Sequence, residues 1–340
     1  FGTARVGGRG AGAAARQGNG PGVGVKAVYL NPLTDDGRDL ERLLGLIERT
    51  ELNALVIDVK EEGVYYETEV DLYRDAGTVV PYYDPAEVLE ALKGADVYAI
   101  ARLCVFKDTL LAEARPDLAV ADATTGGVWY DDGGVAWLNP FADEARAGVV
   151  ALAEELAGLG FDEVQFDYVR FPSDGDLTTT DFGQEVTDDG KIDAIAAFLA
   201  EGREALAPLG VATSADVFGF TMLQDDIGIG QNAERVAEAV DIVCPMVYPS
   251  HFPEGSIDVA GHPNDFPEET IATSLEAGAE RVPVERLRPW LQDFSLPGFG
   301  EYGPAEVRAQ IAATEEAGAG GWMLWNAANV YQEEALAAAE

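Results

Sequence analysis

The sequence predicts an α/β fold in which eight parallel strands and their helices close into a single-domain (β/α)8 TIM barrel with long βα loops. From residue 25 onward, short runs of β-branched and aromatic residues alternate with Ala-, Leu- and Glu-rich stretches of helical period. The predicted strands are apolar on both faces, as strands are when helices cover a parallel sheet. A doubly wound open sheet is the alternative. It is disfavoured because the first strand leads into YLNPLTDDG instead of a Gly-rich phosphate loop.

The elements follow one another at regular spacing along the chain. The predicted strands are, in order, residues 25–31, 54–60, 96–106, 162–171, 211–219, 241–249, 287–294 and 321–327. The clearest predicted helices between them are residues 37–50, 143–160, 191–210, 232–240 and 304–320. Gly or Pro often stands just past a helix end, where helix termination favours these residues. Residues 25–340 therefore form one predicted domain.

Residues 1–24 are rich in Gly and Ala, with scattered Arg and no apolar period. This composition predicts a flexible leader or linker. The chain begins at Phe1 and this segment has no apolar core of a signal peptide, so we expect a trimmed product. We interpret this as favouring an exported protein, extracellular or in the cell envelope.

The charge of the chain excludes several classes of partner. The 61 acidic residues outnumber the 22 basic ones and give a formal net charge of −39. Such a surface repels nucleic acids and anionic membranes, and no apolar run approaches the roughly 20 residues of a membrane span. We therefore expect no nucleic-acid partner and no membrane insertion. The two cysteines, Cys104 and Cys244, fall in separate predicted strands and are expected to be small buried apolar residues without a disulfide.

Polar residues near the C-terminal ends of the predicted strands mark the candidate site, because catalytic groups of such barrels lie there. The candidates are Glu61, Arg102, Gln165, Asp167, Asp216, Tyr248, Asp293 and Trp325. Period two puts Gln165 and Asp167 on one face of strand four, within GFDEVQFDYVRFPSDGD. An Asp facing the helix layer would be costly to bury unpaired, so both are expected to face the barrel mouth. A structural ion pair of Asp167 with Arg102 or Arg170 is the alternative.

Asp167 and Asp216 lie on neighbouring predicted strands and are the candidate catalytic pair. Two carboxyl groups flanking a glycosidic bond are the usual requirement for its hydrolysis, one protonating the leaving oxygen and the other attacking the sugar or activating water. The alternative for Asp216 is a cap on the following turn, FGFTML. Glu61 and Asp293 are reserve acids that we place among the substrate-binding residues. Asp58 is expected to hold a basic residue inside the barrel.

Aromatic residues near the strand ends favour a sugar substrate. Trp325 and Tyr248 follow strands eight and six, and Trp129, Tyr130 and Trp137 lie in the loop before strand four. Such rings stack on the apolar faces of sugars, although burial in the core is an equally ordinary role for them.

Other chemistries fit the sequence less well. The only histidines, His251 and His262, lie in one loop, whereas catalytic zinc sites normally take several ligands from separate elements. The GxSxG motif of serine hydrolases is absent. The segment DGDLTTTDFGQE matches a calcium loop only in part, because Thr179 stands where the required Gly would be. No metal or other cofactor is predicted.

The strings ALVIDVKEEG, AIARLCVFKD, WLNPF, GFDEVQFDYVRFPSDG, SADVFG and CPMVYPSHF resemble, in this order, a bacterial family of glycoside hydrolases known largely as a domain of unknown function. The resemblance covers nearly all of residues 25–340. It implies a TIM barrel similar to α-amylase-like glycosidases, with Asp167 as nucleophile or base. The acid on strand five is usually Glu in those enzymes, whereas here it is Asp216.

Residues and resemblance together predict a glycoside hydrolase that acts on a cell-envelope or extracellular polysaccharide through paired carboxylates. Asp167 is the expected nucleophile and Asp216 the general acid/base, positioned by Arg102, Gln165 and Tyr248. The acidic protein is expected to suit neutral or cationic sugars better than acidic ones. The alternative is a non-catalytic carbohydrate-binding barrel, and a polysaccharide lyase or deacetylase is a third possibility.

Overall fold

The computed structural model describes residues 22–33 and 38–339. Residues 1–21 of the predicted leader therefore lie outside the described residues. Eight parallel strands close into a barrel in chain order, with the last strand pairing with the first, which confirms the (β/α)8 TIM prediction. The strands are β1 Val25–Leu30, β2 Ala54–Lys60, β3 Tyr98–Cys104, β4 Glu163–Asp167, β5 Ala212–Phe218, β6 Ile242–Met246, β7 Trp290–Gln292 and β8 Gly321–Trp325. Within the described ranges, no helix has the length and apolar character needed to cross a membrane.

Helices surround the barrel and connect its strands. They are α1 Asp39–Arg49, α2 Asp71–Ala76, α3 Pro85–Gly94, α4 Thr109–Ala114, α5 Asp143–Leu159, α6 Asp188–Leu206, α7 Ala233–Ala239, α8 Pro267–Ala279 and α9 Pro304–Glu316. The five helices predicted from the sequence are all present, as α1, α5, α6, α7 and α9. The long loops after β3 and β4 pair with each other through two short antiparallel strands, Ala121–Asp122 and Thr180–Asp181.

Several strands are shorter than the apolar runs that predicted them. The run 162–171 forms a strand only as far as Asp167, because Tyr168 has a positive φ of 48° and turns the chain away. The run 287–294 forms regular pairing only over Trp290–Gln292. Apolar content identified these strands correctly. It did not predict where β4 ends, because that end depends on the backbone conformation of the single residue Tyr168.

The lower end of the barrel interior is closed by a buried ion pair. Arg288 donates to both carboxylate oxygens of Glu163, and Ser214 donates to the same carboxylate at 2.5 Å. Arg288 also donates to the carbonyl of Gly22 at 3.2 Å, so the first described residues pack under the barrel. With this end filled, the open end lies at the C-terminal ends of the strands.

The two cysteines are buried and free, as the sequence predicted. Cys244 lies at mid-height inside the barrel, where the side-chain amide of Gln165 contacts its sulfur at 3.4 Å and the sulfur of Met323 at 3.5 Å. The interior therefore has an ion pair below, soft apolar groups in the middle and charged groups above.

Candidate active site

A cavity of about 410 Å³ opens at the C-terminal ends of the strands. Five of the eight predicted site residues line it: Arg102, Asp167, Asp216, Tyr248 and Trp325. They come from five different strands or strand ends, as is typical of sites in this fold. The cavity therefore brings the predicted catalytic pair together.

Asp167 ends β4 and is clamped by charged and polar donors. Arg102 on β3 donates to its Oδ2 from Nε at 2.9 Å and from Nη2 at 2.5 Å. The backbone N–H of Tyr168 donates to its Oδ1 at 2.5 Å. Three donors, two of them on one cation, fix the orientation of the carboxylate.

Arg102 is shared between two carboxylates. Its Nη1 donates to Asp58 Oδ1 on β2 at 2.5 Å, and Tyr29 donates from its hydroxyl to the other oxygen of Asp58. This confirms the expected role of Asp58 as the partner of a basic residue inside the barrel. Burial raises the pKa of Asp58 to about 6, while the charge of Arg102 opposes the rise and that of Glu61 adds to it. The ion-pair alternative for Asp167 also holds, since Asp167 both pairs with Arg102 and lines the cavity.

Asp216 on β5 has a different environment. The indole N–H of Trp290 donates to its Oδ1 at 2.8 Å, and its buried Oδ2 has no hydrogen-bond partner among the described residues. Burial first, and then repulsion from the Asp167 carboxylate, raise the pKa of Asp216 well above its ordinary range. Arg102 and the Trp290 hydrogen bond lower this pKa by less. The environment of Asp216 therefore favours the protonated form of its carboxyl group.

Strand register makes the two carboxyl groups neighbours. Gln165 pairs with Ser214 and Phe166 with Ala215, so the next position on each strand holds Asp167 and Asp216. Adjacent strands lie about 4.8 Å apart, and both side chains face the barrel interior. The two carboxyl groups are therefore neighbours with unlike environments. Among the described residues, no backbone N–H of the turn after β5 donates to Asp216, so Asp216 does not cap that turn.

Some of the aromatic rings that line the cavity pack against other aromatic rings. The ring of Trp325 stacks on Tyr29 with centroids 4.1 Å apart and meets the edge of Trp290 at 5.5 Å. Tyr248 lines the cavity beside His251, with ring centroids 5.4 Å apart. Burial and the two carboxylates raise the pKa of Tyr248 well above its ordinary value, so its hydroxyl stays protonated.

Three predicted site residues do not line the cavity. Gln165 is fully buried beneath the carboxylates and contacts only sulfur atoms through its amide nitrogen. Asp293 is buried under the loop after β8, where it accepts a hydrogen bond from the backbone of Gln332, and burial raises the pKa of Asp293 to about 7. Glu61 is half-buried, and its carboxylate raises the pKa of Asp58, the partner of Arg102.

The loop aromatics likewise stay outside the cavity. Trp129 is buried and donates to Thr179 at 3.1 Å, while Tyr130 is exposed and donates to Glu113. Trp137 is buried and donates to Asp131 Oδ2 at 3.0 Å. These rings stabilise the loop beside the site.

Sequence reasoning missed several residues that line the cavity, among them Trp290, Phe218, Tyr168 and Gln231, and it named Arg170, another lining residue, only as an ion-pair partner of Asp167. Period two could have found Phe218, two residues after Asp216 on the same face of β5. Nothing local predicts that the indole of Trp290 reaches Asp216, 74 positions away in the chain. Among the described residues, no group of three or more His, Cys, Asp or Glu side chains could hold a metal ion.

Paired carboxyl groups at the C-terminal ends of barrel strands are typical of barrel glycosidases, and the family comparison identifies the class. Residues 27–331 match the model of the DUF4015 family, described as a putative glycosyl hydrolase domain. The chain therefore belongs to the DUF4015 family and is a glycoside hydrolase by family. No curated protein matches the chain by sequence.

Two solved structures confirm the fold, and a third shares sequence with this chain. The glycoside hydrolase domain of PgaB (BpsB) from Bordetella bronchiseptica is 16% identical over 90% of this chain and 94% of that one, with a TM-score of 0.68. A chitinase from Chromobacterium violaceum is 13% identical over 91% and 96% of the two chains, with a TM-score of 0.54. A hypothetical protein from Ruminiclostridium thermocellum is 35% identical over 56% of this chain and 97% of its own length, with a TM-score of 0.49.

Proposed function

We propose that this protein hydrolyses glycosidic bonds of a cell-envelope or extracellular polysaccharide, with Asp167 as nucleophile and Asp216 as general acid/base. One observation carries the proposal. Two carboxyl groups at neighbouring register positions line one cavity, and their surroundings differ: Arg102 donates hydrogen bonds to Asp167, whereas burial raises the pKa of Asp216. A carboxylate and a carboxylic acid side by side are the two groups that glycoside hydrolysis uses.

In the first step, Asp216 gives its proton to the glycosidic oxygen while Asp167 attacks the anomeric carbon. The C–O bond to the leaving sugar breaks and an ester between the sugar and Asp167 forms. In the second step, Asp216, now ionised, takes a proton from water, which displaces Asp167 from the sugar. Both carboxyl groups return to their starting states, as a double displacement requires.

We expect net retention of anomeric configuration, because the two residues stand on adjacent strands. Retaining enzymes place their carboxyl groups about 5–5.5 Å apart, whereas inverting enzymes leave about 6.5–9.5 Å for a water molecule. Asp167 and Asp216 stand side by side on adjacent strands, with no strand between them. Arg102 positions Asp167 and limits its mobility during attack.

The class of substrate follows from fold similarity and is part of the proposal. One structural neighbour is a chitinase and another is a spore cortex-lytic enzyme from Bacillus megaterium, both named for polysaccharide targets. We infer a polysaccharide outside the cytoplasm for this protein too, which places it in the cell envelope or the extracellular medium.

The test is reducing-end release from a panel of envelope and biofilm glycans by wild type, Asp167→Asn and Asp216→Asn. Both variants should lose at least about 10³-fold in kcat, because each lacks one of the two proton- or bond-transferring groups. The matched control is Asp241→Asn, a carboxylate that accepts hydrogen bonds from Thr213 at the opposite end of the barrel. Equal release by wild type and Asp167→Asn would refute the assignment.

The pH profile tests the role of Asp216 separately. A group that must be protonated loses activity as pH rises through its pKa, so kcat/KM should fall on the alkaline side of a raised carboxyl pKa. NMR of the first product anomer distinguishes retention from inversion. If neither wild type nor any variant releases sugar while wild type and the variants bind a glycan, the protein is a carbohydrate-binding barrel.

A further inference from the structure

Arg170 is a buried cation that lines the cavity without a carboxylate partner. Its residue exposure is 6%, and among the described residues no carboxylate lies within 4.0 Å of its guanidinium. Its Nη1 donates to the carbonyl of Phe171 at 3.0 Å and to the hydroxyl of Ser173 at 3.2 Å. Its Nε and Nη2 make no hydrogen bond to the described part of the chain.

The other buried cations of the described residues behave differently. Lys60 pairs with Asp108 at 2.7 Å, Arg102 with two carboxylates, and Arg288 with Glu163. Burying a charge without a counter-ion is costly, and a chain with 61 acidic residues does not lack carboxylates. Asp167 lies in the same cavity, yet its carboxylate is bound by Arg102 instead.

Aromatic rings hold the guanidinium of Arg170 in place. Its central carbon lies 4.7 Å from the ring centroid of Trp137, 4.6 Å from that of Phe218 and 5.5 Å from that of Tyr168. Ring faces stabilise a cation without neutralising it and without occupying its N–H groups. The ammonium of Lys107 lies 4.5 Å from the Tyr168 ring centroid and also has no carboxylate within 4.0 Å in the described ranges.

We propose that Arg170 is the binding site for the carboxylate of an acidic sugar, a uronic acid unit of the substrate next to the catalytic pair. The free Nε and Nη2 form the edge of the guanidinium that binds a planar carboxylate through two parallel hydrogen bonds. Lys107 adds positive charge at the rim. This inference deepens the proposed function and rests on it for the position of the cleaved bond. It reverses the expectation, drawn from net charge, that neutral or cationic sugars fit best.

The experiment measures binding, so it does not require turnover. Isothermal titration of wild type with D-glucuronate and D-galacturonate is compared with titration with D-glucose and D-galactose, which have a hydroxymethyl group in place of the carboxylate. Sulfate and phosphate form a third arm that detects a general anion site. We expect the uronates to bind at least tenfold more tightly than the neutral sugars and than the inorganic anions.

Variants then assign the effect to Arg170. Arg170→Gln should weaken uronate binding at least tenfold and leave the neutral sugars unchanged, whereas Arg170→Lys should retain part of the preference through its charge. The matched control is Arg235→Gln, a half-exposed arginine that pairs with Asp193 and does not line the cavity. Thermal unfolding checks that each variant is folded. If Arg170→Gln does not fold, Arg170→Lys replaces it as the test variant, and its preference for uronates should be weaker than that of wild type.

The outcomes separate the two proposals. Equal binding of uronates and neutral sugars by wild type, including no binding of either, would overturn the acidic-sugar site. Equal binding by wild type and Arg170→Gln would also overturn it, and a preference for sulfate or phosphate would replace it with a general anion site. Arg170-dependent uronate binding without any hydrolysis would leave the site standing and remove the catalytic proposal.

Discussion

At the scale of residues, two aspartates of identical chemistry acquire different states from their contacts. Asp167 receives two hydrogen bonds from Arg102 and one from a backbone N–H, which hold its carboxylate in one orientation. Asp216 receives one, from Trp290, and its second oxygen is buried without a partner in the described chain. The assignment of acid and nucleophile depends on these contacts and not on the residue type.

Trp290→Phe should shift the pH profile of the enzyme. The indole N–H at 2.8 Å from Asp216 Oδ1 stabilises the charged form, so its loss should raise the pKa of Asp216 further. The acid then stays protonated to higher pH, and the alkaline limb of kcat/KM should move upward. Loss of the contact that orients the acid should also lower kcat by about tenfold, equivalent to about 1.4 kcal/mol.

The control for that variant is Trp129→Phe, which removes an indole hydrogen bond to Thr179 in the neighbouring loop. A profile that keeps its alkaline limb in Trp290→Phe would show that Asp216 is not the titrating acid. A downward shift of that limb would show that Trp290 stabilises the protonated form instead.

Sequence reasoning identified the residues whose position in a strand determines their role. Asp167 and Asp216 were predictable because period two and strand order place them at the open end of the barrel. The parts proposed for Trp290 and Arg170 were not predictable from the sequence. Trp290 reaches Asp216 through a contact between distant parts of the chain, and Arg170 stands out because no carboxylate of the described residues pairs with it. Gln165 shares a strand face with Asp167, yet lies one layer lower, below the cavity floor.

At the scale of elements, β4 connects the site to the helix layer. Its inward residues include Asp167, and its outward Phe166 packs against Phe198 of α6 with ring centroids 5.4 Å apart. Gly202 of the same helix faces the Phe166 ring, and a β-carbon there would lie 2.8 Å from the ring's Cζ. The close approach of α6 to β4 therefore depends on a glycine.

Gly202→Ala should destabilise the protein by about 1–3 kcal/mol, because the added methyl overpacks a filled contact. Gly158→Ala is the matched control, since that glycine of α5 has open space where the β-carbon would be. The control should be neutral or stabilise the protein by up to about 1 kcal/mol, the usual preference for Ala over Gly in helices. Urea unfolding of both variants gives the comparison, and equal stability of the two would mean that α6 can move away from β4 without cost.

The elements show where sequence patterns reach their limit. All eight strands and the (β/α)8 closure were predictable, because the alternation of apolar runs with helical periods extends along the whole chain. The end of β4 was not, since Tyr168 adopts a positive φ that its residue type does not favour. That turn also supplies the backbone N–H that donates to Asp167, so the mispredicted boundary lies at the candidate site.

At the scale of the whole molecule, a strongly negative surface surrounds a cavity with its own local charge. The chain carries a net charge of −39, yet Arg102, Lys107 and Arg170 lie in or beside the cavity. Self-repulsion among surface carboxylates destabilises a compact state, and salt screens it. The buried pairs inside the barrel are screened much less, so salt should act mainly on the surface.

The melting temperature should therefore rise as NaCl increases from 0.01 to 0.1 M, where the screening length falls from about 30 Å to about 10 Å. Differential scanning calorimetry at neutral pH measures it, with sucrose of equal osmolality as the control for effects other than ionic screening. Choline chloride at the same ionic strength should give the same rise, because the argument requires only charge. A melting temperature that stays constant or falls over this range would show that the surface carboxylates do not destabilise the folded state. A rise specific to one cation would instead point to ion binding at particular carboxylates.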